Sequence, residues 1–180
     1  MGTISRKPKV IRKRLSSRIL RDYTFGNSLQ EKKNMIKFEP QWIVGFVDGE
    51  GWFHIGVTKN STLKLGYQIL PEFVISKHQR DIKLLYNLKS FFGCGVVKKK
   101  NEKVSSYHVR DIDQLANIIL PFFEKHQLKT MKKVDFLKFR HVVRLMVEKK
   151  HLTQEGLDQI FKIKDKEFKI ESSPFRKDEG

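Results

Sequence analysis

The stretch that most narrows the choice of fold is Pro40-Gln41-Trp42-Ile43-Val44-Gly45-Phe46-Val47-Asp48-Gly49-Glu50-Gly51. It reads as one short helix that begins at a proline and ends in an acidic turn between glycines. Pro40 suits the first helical position, because the N–H it lacks would have no intrahelical partner there. Trp42, Ile43, Phe46 and Val47 recur at spacings of three and four, the pattern of a helical face that buries. Gly45 and Gly49 stand four apart and share a face. Each costs up to about 1 kcal/mol relative to alanine inside a helix, so two on one stripe predict close approach by another backbone. Glu50 puts a carboxylate at the negative end of the helix dipole, which calls for a nearby cation. Taken alone, the stretch also suits a buried helix that ends in a solvated turn.

Downstream the periodicity changes from three-to-four to two. Phe53, Ile55 and Val57 alternate with His54, Gly56 and Thr58, which predicts a strand. Asn60-Ser61 breaks it, and a second strand runs from about Gly66 to Ser76, with Pro71 marking an edge or a bulge. A helix over about 79–92 follows, with Ile82, Leu85, Leu88 and Phe92 inward. Gly93 and Gly95 end it. Residues 96–100 and 104–110 form a tighter hairpin around Asn101-Glu102. Further helices are predicted over about 112–125 and 130–150. Thr153 caps a last one to about Lys164, since a threonine oxygen satisfies free N–H groups at a helix start. This order predicts an α+β fold in which a four-stranded antiparallel sheet has its helices on one face. Three regions follow: a basic extension over 1–37, a core over 38–150, and a C-terminal helix with a polar tail over 151–180.

The sheet face without helices should carry, by alternation, Trp52, His54, Thr58 and Asn60 from the first strand. The second strand adds Gln68, Leu70 and Glu72, and the second hairpin Lys98, Lys100, Ser106, His108 and Arg110. Such a set could equally be a wet surface, but charge favours nucleic acid. The 180 residues contain 37 basic and 20 acidic side chains, a formal charge of +17 with pI near 10.0. A surplus that large repels itself unless a polyanion relieves it, and a two-stranded ribbon fits a major groove, where such side chains read base edges and phosphates. No apolar run approaches the roughly 18 residues needed to span a bilayer. No basic amphipathic helix argues for a membrane surface. The lone Cys94 excludes an internal disulfide and fits a reducing compartment. Arg6, Lys7, Lys9, Arg12, Lys13, Arg14, Arg18 and Arg21 precede the first acid, Asp22. That segment reads as an arm along phosphates or a solvated tail, ahead of an organelle transit peptide.

Ile43-Val44-Gly45-Phe46-Val47-Asp48-Gly49-Glu50-Gly51 resembles the signature of the LAGLIDADG homing endonucleases. The likeness in element order extends over about 38–150. Two departures are visible: glutamate stands for the commoner aspartate at Glu50, and Val44 stands where a small residue is usual. The resemblance implies that two such helices pair through Gly45 and Gly49, flanked by Trp42 and Phe46. It implies that Glu50, with the Gly49 carbonyl, binds Mg²⁺ or its substitute Mn²⁺. Asp48 is then structural. Lys129 matches the family's basic position, and Lys77 replaces a glutamine that orients water in many relatives, acting here through charge.

One motif per chain supplies one acid, so cutting both strands of DNA needs a symmetry mate and predicts a homodimer. The expected activity is that of an intron-encoded, site-specific endonuclease. It would make a metal-dependent staggered cut with 3′ overhangs in a long pseudo-palindromic double-stranded DNA target, with a chloroplast or mitochondrial genome as host. The alternative on the same scaffold is a binder that does not cut: a maturase acting on intron RNA, or a DNA-binding regulator.

Overall fold

The structure is a computed structural model that describes the backbone of residues 37–171 and side chains to residue 164. The basic extension up to Ile36 and the tail beyond Glu171 lie outside the described residues. Helix α1, Pro40–Glu50, starts at the proline, and its N-terminal turn accepts no side-chain cap. It passes into β1, Gly51–Lys59, without a loop. The Gly51 N–H donates to the Val47 carbonyl, and a Cβ at Gly51 would lie 2.5 Å from Val47 Cγ1. Close approach therefore requires a glycine at 51. Gly49 is still helical with open space around it, so the sharp turn does not depend on it.

Strand β2, Tyr67–His78, a 3₁₀ turn, Gln79–Asp81, and α2, Ile82–Phe92, come next. Gly95, at φ 74°, then turns the chain so closely that a Cβ would stand 2.6 Å from the His108 carbonyl. Strands β3, Val96–Lys99, and β4, Val104–Val109, complete a sheet of order β1-β2-β4-β3. The two hairpins thus join through their inner strands. Pro71 was expected at an edge or a bulge, yet it sits opposite Ile55 in an unbroken register on a central strand. β4 reaches β2 only from Phe73 to His78. Pro71 therefore occupies a stretch where β2 has one neighbour, which is where a residue without an N–H is tolerated.

After β4 the chain forms α3, Ile112–Gln114, a π turn, Leu115–Ile119, and α4, Leu120–Lys125. Pro121 cannot donate to Asn117 and its ring crowds that carbonyl, which accounts for the widened turn. Helix α5, Lys132–Val147, a 3₁₀ turn, Lys150–Leu152, and α6, Gln154–Glu171, finish the fold. The Gly156 N–H donates to Thr153 Oγ1 at 3.1 Å, the cap expected from the sequence. α6 runs beyond the expected end near Lys164.

The helices cover one sheet face, as alternation predicts. Phe53 lies at the centre of that core, with ring centroids of Phe73, Phe123, Phe136 and Phe139 all within 5.4 Å. Leu157 and Ile160 of α6 join the same buried cluster.

Candidate active site and nucleic-acid face

Three segments distant in sequence meet at the C-terminal end of α1. In the β1–β2 register Gly51 pairs with Ile75, so β2 continues past the start of β1 and carries Lys77 alongside the helix end. Lys77 Nζ donates to Glu50 Oε1 at 2.8 Å and lies 5.5 Å from the centroid of the Phe46 ring. This is the cation that a carboxylate at the negative helix end demands. The Glu50 side chain keeps 47% of its exposure. An ion pair this wet is worth no more than about 1 kcal/mol, so Glu50 can exchange its partner at little cost. Asp48, one residue inside Gly49, faces the third segment. It accepts from the backbone N–H of Lys129 at 2.9 Å and of Thr130 at 3.3 Å, and from Thr130 Oγ1 at 2.8 Å. Leu128 is buried beside them. Asp48 thus pins the segment before α5 to the end of α1 and leaves the Lys129 side chain exposed.

At the end of α1 the exposed Glu50 carboxylate is paired with Lys77, while Asp48 is engaged by the backbone at Lys129 and Thr130. No group of three or more His, Cys, Asp or Glu that could cage a metal occurs among the described residues. One exposed carboxylate suits Mg²⁺, which keeps several waters and relies on one or two carboxylates plus substrate phosphates rather than an all-protein cage.

The two sides of α1 differ from the sequence expectation. Ile43, Val44 and Val47 form the buried side. Trp42 is 44% exposed, Phe46 is half-buried, and Gly45 and Gly49 are exposed. The apolar positions grouped as one face therefore belong to two. Val44 packs inward, away from the glycines, so its bulk does not obstruct them. Among the described residues nothing lies within 4 Å of a Cβ built at Gly45 or Gly49. Phe38, Trp42 and Phe46 stack with centroids 4.7 and 4.9 Å apart, a ladder that runs from the buried Phe38 to the exposed Trp42 ring. The sequence spacing 38, 42, 46 carries that ladder, although only its last two members were anticipated.

The open sheet face follows from the register. Trp52, His54 and Thr58 stand opposite Val74, Glu72 and Gln68, and Gly56 stands opposite Leu70. His108 stands opposite Val74 and Val96, and Ser106 opposite Ser76 and Lys98. Trp52, Thr58, Gln68, Leu70, Lys98, Lys100 and Arg110 are exposed. One expected groove contact and one expected strand position need correction. Ser106 is 2% exposed and shares a 2.8 Å hydrogen bond with Ser76 Oγ, so its hydroxyl is spent within the sheet. Asn60 lies beyond β1, and its Oδ1 accepts from Thr62 N–H and Oγ1, which shapes the hairpin loop.

Glu72 is the feature whose role the alternation did not reveal. Its Oε1 accepts from Arg110 Nε and pairs with His108 Nδ1 at 2.6 Å. Burial raises the pKa of this carboxyl, but the hydrogen bonds and charges of Arg110 and His108 more than reverse that and hold it below the ordinary carboxylate value. The signal was present in the sequence: an acid on a strand face otherwise free of acids, in a chain of +17.

Comparison with known proteins places this arrangement. A profile described as LAGLIDADG endonuclease matches residues 43–143. The chain is 40% identical over 123 residues to "Probable intron-encoded endonuclease 2" of Neurospora crassa, a match covering 67% of this chain and 27% of that protein. The chain thus spans about a quarter of the length of that curated relative. Among solved structures it resembles the homing endonuclease I-TnaI, with a TM-score of 0.68, 51% identity, and 71% and 86% of the two chains covered. It also resembles I-SmaMI, solved on an uncleaved DNA target in the presence of calcium ions, with a TM-score of 0.70, 43% identity, and 71% and 44% of the two chains covered.

Proposed function

The chain belongs to the LAGLIDADG endonuclease family, and on that premise we propose that it is a site-specific, intron-encoded homing endonuclease acting on double-stranded DNA. The observation that carries the reading is the exposed Glu50 carboxylate at the C-terminal end of α1, paired with Lys77 in a solvent-exposed contact. The proposed reaction is hydrolysis of one phosphodiester in each strand, leaving 3′ overhangs in a long pseudo-palindromic target. The proposed host is an organellar genome, in keeping with the intron-encoded relative.

In this reading two copies of the chain pair through Gly45 and Gly49, with Trp42 and Phe46 at the rim. An isologous two-fold contact brings the two Glu50 side chains together. Glu50 and the Gly49 carbonyl are the groups of each chain that would hold Mg²⁺ or Mn²⁺. When bound, such ions activate water and stabilise the attacking and leaving oxygens of an in-line displacement. Lys77, released from Glu50, and Lys129 place positive charge beside the scissile phosphate, where it is worth most as negative charge develops. The exposed bases of the sheet set register on the phosphates, and its polar side chains read bases.

The test is cleavage of duplex DNA spanning the intron-insertion junction, with and without Mg²⁺. Glu50→Gln is expected to bind that duplex as the wild type does and to leave it uncut. Retained cleavage by the variant, or cleavage undiminished by chelator, overturns the assignment. Binding is expected to weaken steeply with salt, the log affinity falling by about 0.9 per phosphate neutralised for each tenfold rise in salt. A flat response would remove the phosphate contacts from the account.

A further inference from the structure

A carboxylate on a surface meant for a polyanion repels its ligand unless it does something for a neighbouring cation. Glu72 is such a group. It stands on the central strand β2, across from His54 and beside the end of β4. Its side chain is 12% exposed, and the single oxygen Oε1 serves both His108 and Arg110. A carboxylate reading cytosine must offer an oxygen outward to the exocyclic amine. Glu72 instead commits Oε1 sideways, to two residues at the end of β4, and its side chain is only 12% exposed.

The bond to Arg110 is specific in geometry. It engages Nε, on the flank of the guanidinium, while the Arg110 side chain remains 60% exposed. With the flank held, the terminal pair of nitrogens is the edge left for a ligand. A planar pair of donors matches the O6 and N7 acceptors of guanine, the commonest base contact an arginine makes. Fixing the side chain beforehand also reduces the rotamer entropy lost on binding.

Resting on the DNA-endonuclease reading above, we infer that Glu72 is a positioning residue: it clamps Arg110 by its flank so that the terminal guanidinium edge reads one guanine in each half-site. His108 braces the same oxygen and helps hold the carboxylate in place. Glu72 itself touches no base.

The experiment selects binding sites for the full chain from a randomised duplex pool and compares wild type with Arg110→Lys, Glu72→Gln and Glu72→Asp. Thermal melting establishes that each variant is folded. The wild type is expected to prefer guanine at one position per half-site. Arg110→Lys keeps the charge and loses the planar fork, so that preference should fall about tenfold while the salt dependence holds. Glu72→Gln should relax the same position and no other, and Glu72→Asp, which keeps the charge on a shorter arm, should retain part of the preference.

Three results would overturn the inference: Glu72→Gln leaving the profile unchanged, Glu72→Gln lowering affinity evenly at every position, or Glu72→Gln relaxing a cytosine that Arg110→Lys leaves untouched. The last would make Glu72 a reader in its own right. If the wild type selects no sequence at all, the endonuclease reading falls together with the inference. If it selects one and only the variants disagree, the inference falls alone.

Discussion

The two sides of α1 obey different rules. On the inner side Ile43, Val44 and Val47 are at most 2% exposed and are the branched aliphatics that any core would accept. On the outer side two glycines lie in open space next to a tryptophan that is 44% exposed. Among the described residues nothing offsets that choice: glycine weakens the helix and the Trp42 ring meets water. The inner side is explained by folding alone. In the proposed homodimer a second copy of the same side would cover both the glycines and the Trp42 ring.

The sharpest way to test this contrast is to remove a comparable amount of side chain from the inner face. Ile43 is fully buried, so Ile43→Ala combines lost transfer energy with a cavity and should cost about 2–5 kcal/mol. Chemical denaturation of the purified chain measures it. A cost under about 1 kcal/mol would mean that the inner side can collapse onto the gap, and that the two sides differ less than their exposures suggest.

Asp48 lies between the two sides and offers an intermediate case. It neither packs in the core nor faces the open glycines, but binds the backbone at Lys129 and Thr130. Asp48→Ala should cost about 1.5 kcal/mol, the lower end for hydrogen bonds to a charged group, because the site is partly wet. The same change frees the segment carrying Lys129, so cleavage should fall by more than the stability loss explains. Equal losses in the two assays would make Asp48 a support for the fold and nothing more.

This contrast also marks what the chain's letters could convey. Element order and the covered sheet face were legible because Phe53, Ile55 and Val57, and later Leu85, Leu88 and Phe92, repeat with the periods of a strand and a helix. The ends of α1 were legible from Pro40 and Gly51. The division of Trp42 and Phe46 from Ile43 and Val47 was not, because spacings of three and four fit two adjacent stripes as well as one. Pairing between side chains was hidden for a related reason. Nothing in alternation says that Ser106 turns to Ser76, or that one oxygen of Glu72 takes both His108 and Arg110, because these partners lie 30 or more residues apart. At the candidate active site the need for a cation beside Glu50 followed from the helix dipole. That Lys77 supplies it followed only from the register of β1 on β2.

The smallest change carries the most informative sign. Gly45 has helical backbone, and among the described residues a Cβ there meets nothing within 4 Å. Gly45→Ala should therefore stabilise the lone chain by about 0.5–1 kcal/mol, the helical penalty of glycine removed without a clash. The measurement belongs at a concentration low enough that wild type and variant are both monomeric, since association would otherwise add its own stability by mass action. At higher concentration sedimentation should show the reverse, a weaker self-association, because the added methyl stands where the second helix backbone would approach. The bulkier Gly45→Leu should abolish association. A variant that is more stable alone and poorer at pairing is what an interface glycine predicts. If Gly45→Leu still pairs as the wild type does, the open side of α1 is not where two copies meet, and the two Glu50 carboxylates have to be brought together in another way.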